Sequence, residues 1–389
     1  MRIVVSLLNF RPGCIGGTET YLRELVANLS AAAGRDEIVL VVDRDIAPEF
    51  RTPGVGLAVV DAGARSVVCQ RFLEATTPYQ ARGISRVFED LAPDVALFPQ
   101  QVIFPKQVPC PAVVVVHDLY HLQLPENLTV LQRWYRKSIY QHSLNSADRI
   151  ITVSDYTRRS LIAHYSLDDR AAQIETVHHG FRLFEPGSAA QATDESTSAH
   201  PFIYYPAVSH PHKNHLQLFR AISRLNAVGE FPYRVLLSGA KTRHWPKLEH
   251  EIRRLGLRRV VEHLGFLPYS RVQALYRAAS AVVFPSSYEG FGIPVVEAAT
   301  LGKKVITSDI EVFRELGVPA AFRINFDDAR ELQGALAHPG RTVLERPVQS
   351  WAETTRQTLA IVRKAAAGAW TVSSEPAWTG DDAISARAA

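Results

Sequence analysis

The chain has 389 residues, a formal net charge of +4, and 47% hydrophobic and 21% charged residues. This composition is typical of a globular protein of two or three domains and excludes a wholly disordered or fibrous chain. The positive excess is small and no basic block stands out, which argues against nucleic acid as a partner.

Short apolar runs alternate with helical patterns along the first half. The start, Met1 to Leu8, lacks a long hydrophobic region and a cleavage site, so it predicts a first strand rather than a signal peptide. Strands that alternate with helices predict βαβ units and a parallel sheet. Further strands are predicted at Ile38–Val42, Val95–Phe98, Ala112–Val116 and Ile150–Val153, and a helix at Tyr21–Ala33.

The apolar runs also bear on the compartment. None approaches the roughly 20 residues that span a bilayer, so no transmembrane helix is predicted. Three widely spaced cysteines without a Cys-x-x-Cys pair predict neither a disulfide framework nor a thiolate metal site. The expected compartment is therefore a reducing cytoplasm.

The second half repeats the strand–helix alternation after a polar stretch, Pro186–His200, that reads as a linker. The sequence thus predicts two doubly wound α/β domains, 1–182 and 201–350, joined by a linker at 183–200, with a flexible tail at 369–389. Facing sheets would leave a cleft between the carboxyl ends of their strands. Strands are predicted at Phe202–Tyr205, Arg234–Ser238, Val260–Leu264, Ala281–Phe284 and Lys304–Thr307, and helices at His215–Leu225, Trp245–Leu255, Ser270–Ala279 and Ser350–Ala367.

The most informative stretch is Ser286–Thr300, which reads as a loop and a helix after a strand. Gly290 and Gly292 allow a close approach of a ligand, and the helix N-terminus favours an anion. Glu297, about one turn into the helix, can accept both hydroxyls of a ribose, and Glu289 can accept from sugar hydroxyls. The alternative is an exposed loop glutamate and a solvated helix glutamate.

Two other strand ends carry candidate site residues. Gly16 and Gly17 stand between the first strand and its helix, where backbone amides can approach a phosphate, although such a pair is usually only a turn. His117 and Asp118 end an apolar run and would face the cleft. The alternative is a capping pair, in which Asp118 starts a turn and His117 is satisfied by a backbone hydrogen bond.

The segment His210–His215 is rich in imidazole but has no cysteine near it, and a lysine interrupts the set. Zinc prefers three or four well-placed ligands without a neighbouring cation, so metal binding is disfavoured. Lys213 reads better as a diphosphate ligand, with a surface lysine as the alternative.

These motifs resemble glycosyltransferase family 4, a family of retaining nucleotide-sugar glycosyltransferases with the GT-B fold. Glu289 and Glu297 have the spacing of its Glu-x7-Glu signature, with the family's glycine loop between them. The resemblance covers most of the chain except the linker and the tail. It continues in Ala147–Tyr165, Ala207–Leu218, Leu264–Phe266 and the helix that starts at Ser350-Trp351.

The resemblance implies two Rossmann-like domains and a helix over 351–368 that crosses back to the first. It implies transfer of a hexose from a nucleoside diphosphate sugar by same-face substitution, with no metal and no cofactor besides the sugar nucleotide. His117, Lys213 and Glu289 would be catalytic. Donor-binding residues would be Gly16, Gly17, Lys213, Phe266, Glu289, Gly290, Phe291, Gly292, Ile293 and Glu297.

The chain departs from the family where a Gly-Arg pair supplies a second cation near the diphosphate. Pro206 and Ala207 stand there instead, so backbone amides, Lys241, Arg243 or His212 would have to assist. A subset of bacterial polysaccharide enzymes is similar at this point. That subset implies mannose or rhamnose from a GDP donor, with UDP-glucose-type donors open, and a lipid-linked or growing surface polysaccharide as acceptor.

The sequence does not decide whether the chain contacts a membrane, and it leaves two other functions as alternatives. Gln132–Asn145 mixes aromatic and basic residues and reads either as a helix packed on the first sheet or as a helix on an anionic inner membrane. Residues 1–182 carry 19 basic and 19 acidic residues, which favours the packed helix. The other functions are a nucleotide-sugar epimerase or hydrolase of the same fold, and a non-catalytic donor-binding partner.

Overall fold

The computed structural model describes residues 1–13, 16–61, 66–182 and 200–368. Most of the predicted linker, 183–199, and the predicted tail, 369–389, lie outside the described residues. Among the described helices, none has the length and hydropathy that crossing a bilayer would require.

The first half is built on a seven-stranded sheet. Its strands are β1 Arg2–Ser6, β2 Glu37–Asp43, β3 Gly56–Val60, β4 Val95–Phe98, β5 Ala112–Val116, β6 Arg149–Thr152 and β7 Ile174–Thr176. They pair in parallel in the order β3-β2-β1-β4-β5-β6-β7. The helices around it are α1 Gly17–Ala33, α2 Val67–Thr76, α3 Arg82–Leu91, α4 Tyr120–Gln123, α5 Val130–Ser146 and α6 Asp155–Tyr165.

The second half is built on a six-stranded sheet. Its strands are β8 Phe202–Pro206, β9 Arg234–Ser238, β10 Val261–His263, β11 Ala281–Phe284, β12 Val305–Ser308 and β13 Arg323–Ile324, all parallel in the order β10-β9-β8-β11-β12-β13. The helices are α7 His215–Ala227, α8 Trp245–Arg254, α9 Tyr269–Ala278, α10 Ile293–Thr300, α11 Glu311–Glu315, α12 Ala329–Ala337 and α13 Trp351–Ala367. The predicted class, two doubly wound α/β domains, is confirmed.

The central strands read as unbroken apolar runs because helices cover both faces of each sheet. Every residue of β5 is buried, and so is every residue of β11. Three strands were not predicted. β3 lies at an edge and is half exposed, whereas β7 and β13 have only three and two residues, too few for a pattern.

Helix α13 returns to the first sheet and packs on α1. Ser350 caps its N-terminus by accepting a hydrogen bond from the Glu353 N–H. Near its other end, Arg363 Nε donates to Asp36 Oδ2 over 2.8 Å. The last described helix is therefore part of the core of the first half.

The carboxyl ends of the two sheets meet. An ideal Cβ built on Gly290, which follows β11, would lie 1.9 Å from the carbonyl oxygen of His117, which follows β5. Only glycine permits this contact between the two backbones. Residues that follow β5 and β11 therefore share one cleft.

Candidate active site

The loop between β11 and α10 presents a helix N-terminus to the cleft. Gly292 precedes the helix with φ of 103°, and Pro294 is at its second position, where a missing N–H costs nothing. A Cβ on Gly292 would lie 3.0 Å from the Phe313 ring, so both space and backbone angle select glycine. The first amides of α10 and the helix dipole favour an anionic ligand here.

Lys213 and Glu289 lie side by side in this cleft. Lys213 Nζ donates to Glu289 Oε1 over 2.6 Å and to Oε2 over 2.8 Å, and both side chains are largely buried. Tyr205 holds the lysine backbone by donating its hydroxyl to the Lys213 carbonyl over 2.6 Å. The pair offers a cation for a phosphate and a carboxylate for hydroxyl groups at one position.

Glu297 is buried on α10, with 5% of its surface exposed. Tyr269 donates its hydroxyl to Glu297 Oε1 over 2.7 Å. Burial raises the pKa of the Glu297 carboxyl to about 7. The alternative of a solvated helix glutamate is wrong, because this carboxyl is enclosed and takes a specific hydrogen bond.

His117 is buried at the end of β5. Its Nε2 lies 2.8 Å from the carbonyl oxygen of Pro99, which can only accept, so Nε2 carries the proton. Its Nδ1 is then an acceptor, and it has no partner among the described residues. Burial lowers the pKa of His117, which keeps the imidazole neutral.

The Gly16-Gly17 turn meets the second half. Gly16 has φ of 56°, and Gly17 is the first residue of α1. A Cβ on Gly16 would lie 4.0 Å from Val208 Cγ2, and one on Gly17 would lie 3.7 Å from Ile293 Cδ1. The structure therefore brings this turn beside the N-terminus of α10.

The loop that carries Glu289 is held by the first half. The Gly290 carbonyl accepts hydrogen bonds from Ser154 Oγ over 2.7 Å and from Thr157 Oγ1 over 3.3 Å. The Leu119 N–H donates to the Tyr288 hydroxyl over 2.6 Å. The residues on both sides of Glu289 are thus fixed against the opposite domain.

Glu315 forms a second link between the halves. Its carboxylate accepts the N–H groups of Asp155 and Tyr156 at the start of α6, each over 2.7 Å, and a hydrogen bond from His178 Nε2 over 3.0 Å. Burial alone would raise the pKa of Glu315, but these hydrogen bonds lower it. We call this arrangement the Glu315 clamp.

Three side chains of the clamp, Asp155, His178 and Glu315, are also the one set of acidic, His or Cys groups among the described residues whose ligand atoms are close enough to share a metal ion. Arg346 lies 3.4 Å from Glu315 Oε1 and 3.5 Å from Asp155 Oδ2. Because the oxygens face this guanidinium and two backbone N–H groups, the geometry fits a link between domains better than a metal site.

Phe291 and Phe266 are both predicted to bind the donor, but they lie in different environments. Phe291 is buried, with its ring centroid 5.2 Å from that of His179 and 5.6 Å from that of His178. Phe266, in the turn after β10, is 76% exposed. Phe291 therefore packs in the domain interface, whereas Phe266 presents its ring to solvent.

The structure reduces the number of candidates for the second cation near the diphosphate. Burial, and next the charge of Lys213, lower the pKa of His212 to about 2, so His212 is neutral and cannot supply it. Lys241 Nζ lies 4.7 Å from the ring centroid of Trp245, and Arg243 is exposed in the same loop. Of the three candidates, the lysine and the arginine remain.

Several residues of the cleft were not found from sequence: Ser154, Arg182, Tyr269, Tyr288 and Glu315. They come from five separate segments. Ser154 and Tyr288 lie within stretches that resemble the family but are not among the residues that define them, and the other three lie outside any motif. Ser154 carries only a helix-capping signal, since its hydroxyl accepts the Thr157 N–H. Contacts of this kind depend on the tertiary fold and leave no local pattern.

Comparison with known proteins gives two family matches. Residues 15–183 match the model described as Glycosyltransferase Family 4, and residues 191–337 match the model described as Glycosyl transferases group 1. Together these matches take in most of the chain.

Individual named proteins also match the chain. The O-antigen chain mannosyltransferase RfbU of Salmonella typhimurium is 26% identical over 57% of this chain, and O-antigen chain mannosyltransferase B of Escherichia coli is 28% identical over 53%. The matches span 59% and 55% of those two proteins. The solved structure of Anabaena HepE, with UDP and glucose, covers 95% of this chain and 99% of its own at a TM-score of 0.63 and 18% identity.

Proposed function

Since the chain belongs to glycosyltransferase family 4 and has the GT-B fold, we propose that it transfers a hexose from a nucleoside diphosphate sugar to a hydroxyl of a glycan. One observation carries the proposal, the Lys213–Glu289 pair beside the N-terminus of α10. A diphosphate and a sugar need these groups together, namely a cation, free amides and a carboxylate that accepts hydroxyls.

In the proposed donor complex, the diphosphate lies between Lys213 and the first amides of α10. Glu297 accepts the ribose hydroxyls, and the exposed ring of Phe266 stacks on the base. The donor would compete with Glu289 for Lys213, which would free that carboxylate to accept from the sugar. The lysine and the amides would take the place of a divalent metal, so the proposed reaction needs none.

We propose that the configuration at the anomeric carbon is retained. The acceptor oxygen bonds to the anomeric carbon on the face from which the diphosphate oxygen leaves, and the acceptor proton passes to a phosphate oxygen. Lys213 and the α10 amides stabilise the charge that develops on the leaving group. The unprotonated Nδ1 of His117 accepts a hydrogen bond from the transferred sugar.

The proposed donor is GDP-mannose, with GDP-linked rhamnose as the second choice. Both mannosyltransferase relatives support this assignment, although each match covers little more than half of the relative. Their names support an acceptor of the O-antigen type, a lipid-linked or growing surface polysaccharide. The resemblance of Pro206, Ala207 and the following segment to a subset of bacterial polysaccharide enzymes supports the same choice.

We also propose peripheral contact with the cytoplasmic face of the inner membrane. The start of α5 exposes Val130, Leu131 and Trp134 by 72, 61 and 53%, with Arg133 and Lys137 exposed between and after them. Apolar side chains mixed with cations suit an anionic lipid surface. The paired substitution Leu131→Ser and Trp134→Ser should lower partition onto phosphatidylglycerol vesicles at least tenfold.

Val228→Ser is the matched control for this experiment, because Val228 is 66% exposed after α7. Equal partition of the double variant, the control and the wild type would contradict membrane contact through α5.

Transfer is tested with the purified chain, GDP-mannose, GDP-rhamnose, dTDP-rhamnose, UDP-glucose and UDP-N-acetylglucosamine, with and without a lipid-linked glycan. We expect product only with acceptor, and a loss of about 100-fold or more in kcat/KM for Lys213→Ala. Lys247→Ala, at an exposed position of α8, should leave transfer unchanged. Free sugar or an epimer formed without acceptor would favour the hydrolase or epimerase, and binding without turnover would favour the non-catalytic partner.

A further inference from the structure

The carboxyl of Glu297 lies at the end of a chain of polar contacts that reaches the first domain. Tyr269 donates to it over 2.7 Å, and Tyr276, also on α9, is a second hydrogen-bond donor. Tyr204 of β8 is the third ionisable group of the second domain that faces it.

Arg182 and Glu24 are the charged groups that face this carboxyl from the first domain. The guanidinium of Arg182 lies 5.1 Å from the ring centroid of Tyr269 and forms an ion pair with Glu24, which is buried on α1. Its charge lowers the pKa of Glu297, whereas that of Glu24 raises it. The first domain therefore acts electrostatically on a carboxyl of the second.

We infer that Tyr269 is a positioning residue that orients and keeps ionised the carboxylate that binds the ribose, and that Arg182 extends this support from the first domain. This inference rests on the proposed function, since it gives Glu297 a nucleotide to bind. A ribose offers two hydroxyl donors, so it needs Glu297 as an acceptor on both oxygens.

The physical reason lies in the enclosure of Glu297. Burial disfavours its charged form and brings its pKa to about 7. The Tyr269 hydroxyl donates to that charged form, and Arg182 attracts it, so loss of either makes the carboxyl harder to ionise. A protonated carboxyl has one acceptor fewer, so nucleotide binding must then displace a proton.

The test is the affinity of the full chain for GDP and for UDP, measured by titration calorimetry from pH 5.5 to 8.5. For the wild type, affinity for the better nucleotide should rise as pH increases through the Glu297 titration and then level off. In Tyr269→Phe the midpoint should move up by about one pH unit, with affinity about tenfold lower below it and recovered above it. Arg182→Met should shift the midpoint in the same direction by less.

Tyr233→Phe is the matched control, since Tyr233 precedes β9 at the opposite end of the sheet from the cleft. The titration of the nucleotide itself is common to all variants, so a difference between curves reports on the protein. Tyr269→Phe should raise the KM for the donor. Its kcat, measured at saturating donor, should stay within about twofold of the wild type.

Two results would overturn the inference. A loss of affinity in Tyr269→Phe that is equal at every pH would mean a merely structural role, and an unchanged curve would mean no role. Either of these leaves the proposed function intact, because the wild type still binds the nucleotide. If the wild type binds neither nucleotide at any pH, the proposed function fails as well.

Discussion

Replacing Gly290 with alanine tests whether transfer requires the observed contact between the two backbones. The new methyl carbon would lie 1.9 Å from the His117 carbonyl oxygen, and 3.3 Å from Asp118 Cβ. Real Cβ contacts essentially never fall below 3.0 Å, so the domains must separate there by at least 1.1 Å. No flexible side chain can absorb the clash, because the position of the new Cβ is fixed by the backbone of residue 290 and the oxygen belongs to the His117 main chain.

The expected cost follows from the hydrogen bonds beside this contact. A separation of that size would lengthen the Ser154–Gly290 bond from 2.7 Å, and the Leu119–Tyr288 bond from 2.6 Å, beyond hydrogen-bond range. Each contributes about 0.5–1.5 kcal/mol. Their joint loss, about 1–3 kcal/mol, lowers the ratio of closed to open chains roughly 5- to 150-fold.

The assay separates binding from transfer. Nucleotide affinity should stay within about threefold of the wild type, because Lys213 and Glu297 are unaffected, while kcat should fall in proportion to the closed population. Gly334→Ala is the control, since a Cβ there meets nothing within 4 Å. A Gly290→Ala enzyme with wild-type kcat would refute the requirement for this contact.

Three further predictions concern the buried carboxyl and the contacts between domains. Because burial raises the pKa of Glu297 from 4.5 to about 7, the folded chain binds the extra proton, and stability should fall as pH rises between those values. Glu297→Gln should remove this fall, so at pH 8 its free energy of unfolding should exceed that of the wild type by about 3 kcal/mol. Denaturant titration at several pH values measures this, and a dependence of stability on pH equal to that of the wild type would contradict the prediction. Glu315→Gln keeps the shape of the clamp but weakens its acceptor. It should destabilise by about 1–3 kcal/mol, with Glu249→Gln on the exposed face of α8 as a neutral control. Ser154→Ala removes one bond to the Gly290 carbonyl together with the N-terminal cap of α6, and should lower kcat about threefold to tenfold, whereas a change confined to donor KM would contradict its role in closure.

The sequence predicts the regular part of this molecule because its rules are local. β4, β5, β9 and β11 have the predicted bounds, since apolar runs between turn residues are visible in any one segment. The predicted ends of α9, Ser270 and Ala279, each differ from the observed ends by one residue, because capping does not define a boundary more closely.

Residues of the site were predictable only where they belong to a recognisable motif. Glu289 and Glu297 stand at a recognisable spacing, yet nothing in the sequence pairs Glu289 with Lys213, 76 positions away. The same holds for Tyr269 and Glu297, and for Glu315 and α6. Burial decides the charge of Glu297 and of His212, and burial is set by neighbours that arrive from distant segments.

The return of α13 to the first domain has a consequence for synthesis of the chain. Trp351 packs beside Tyr21 of α1, with ring centroids 6.2 Å apart, and Arg363 bonds to Asp36. The first domain therefore leaves the ribosome before α13 has been synthesised. Until then, the surface on which α13 packs stays exposed. A fragment that ends at residue 182 would expose this surface, and a chimaera that exchanges first domains must exchange α13 with them.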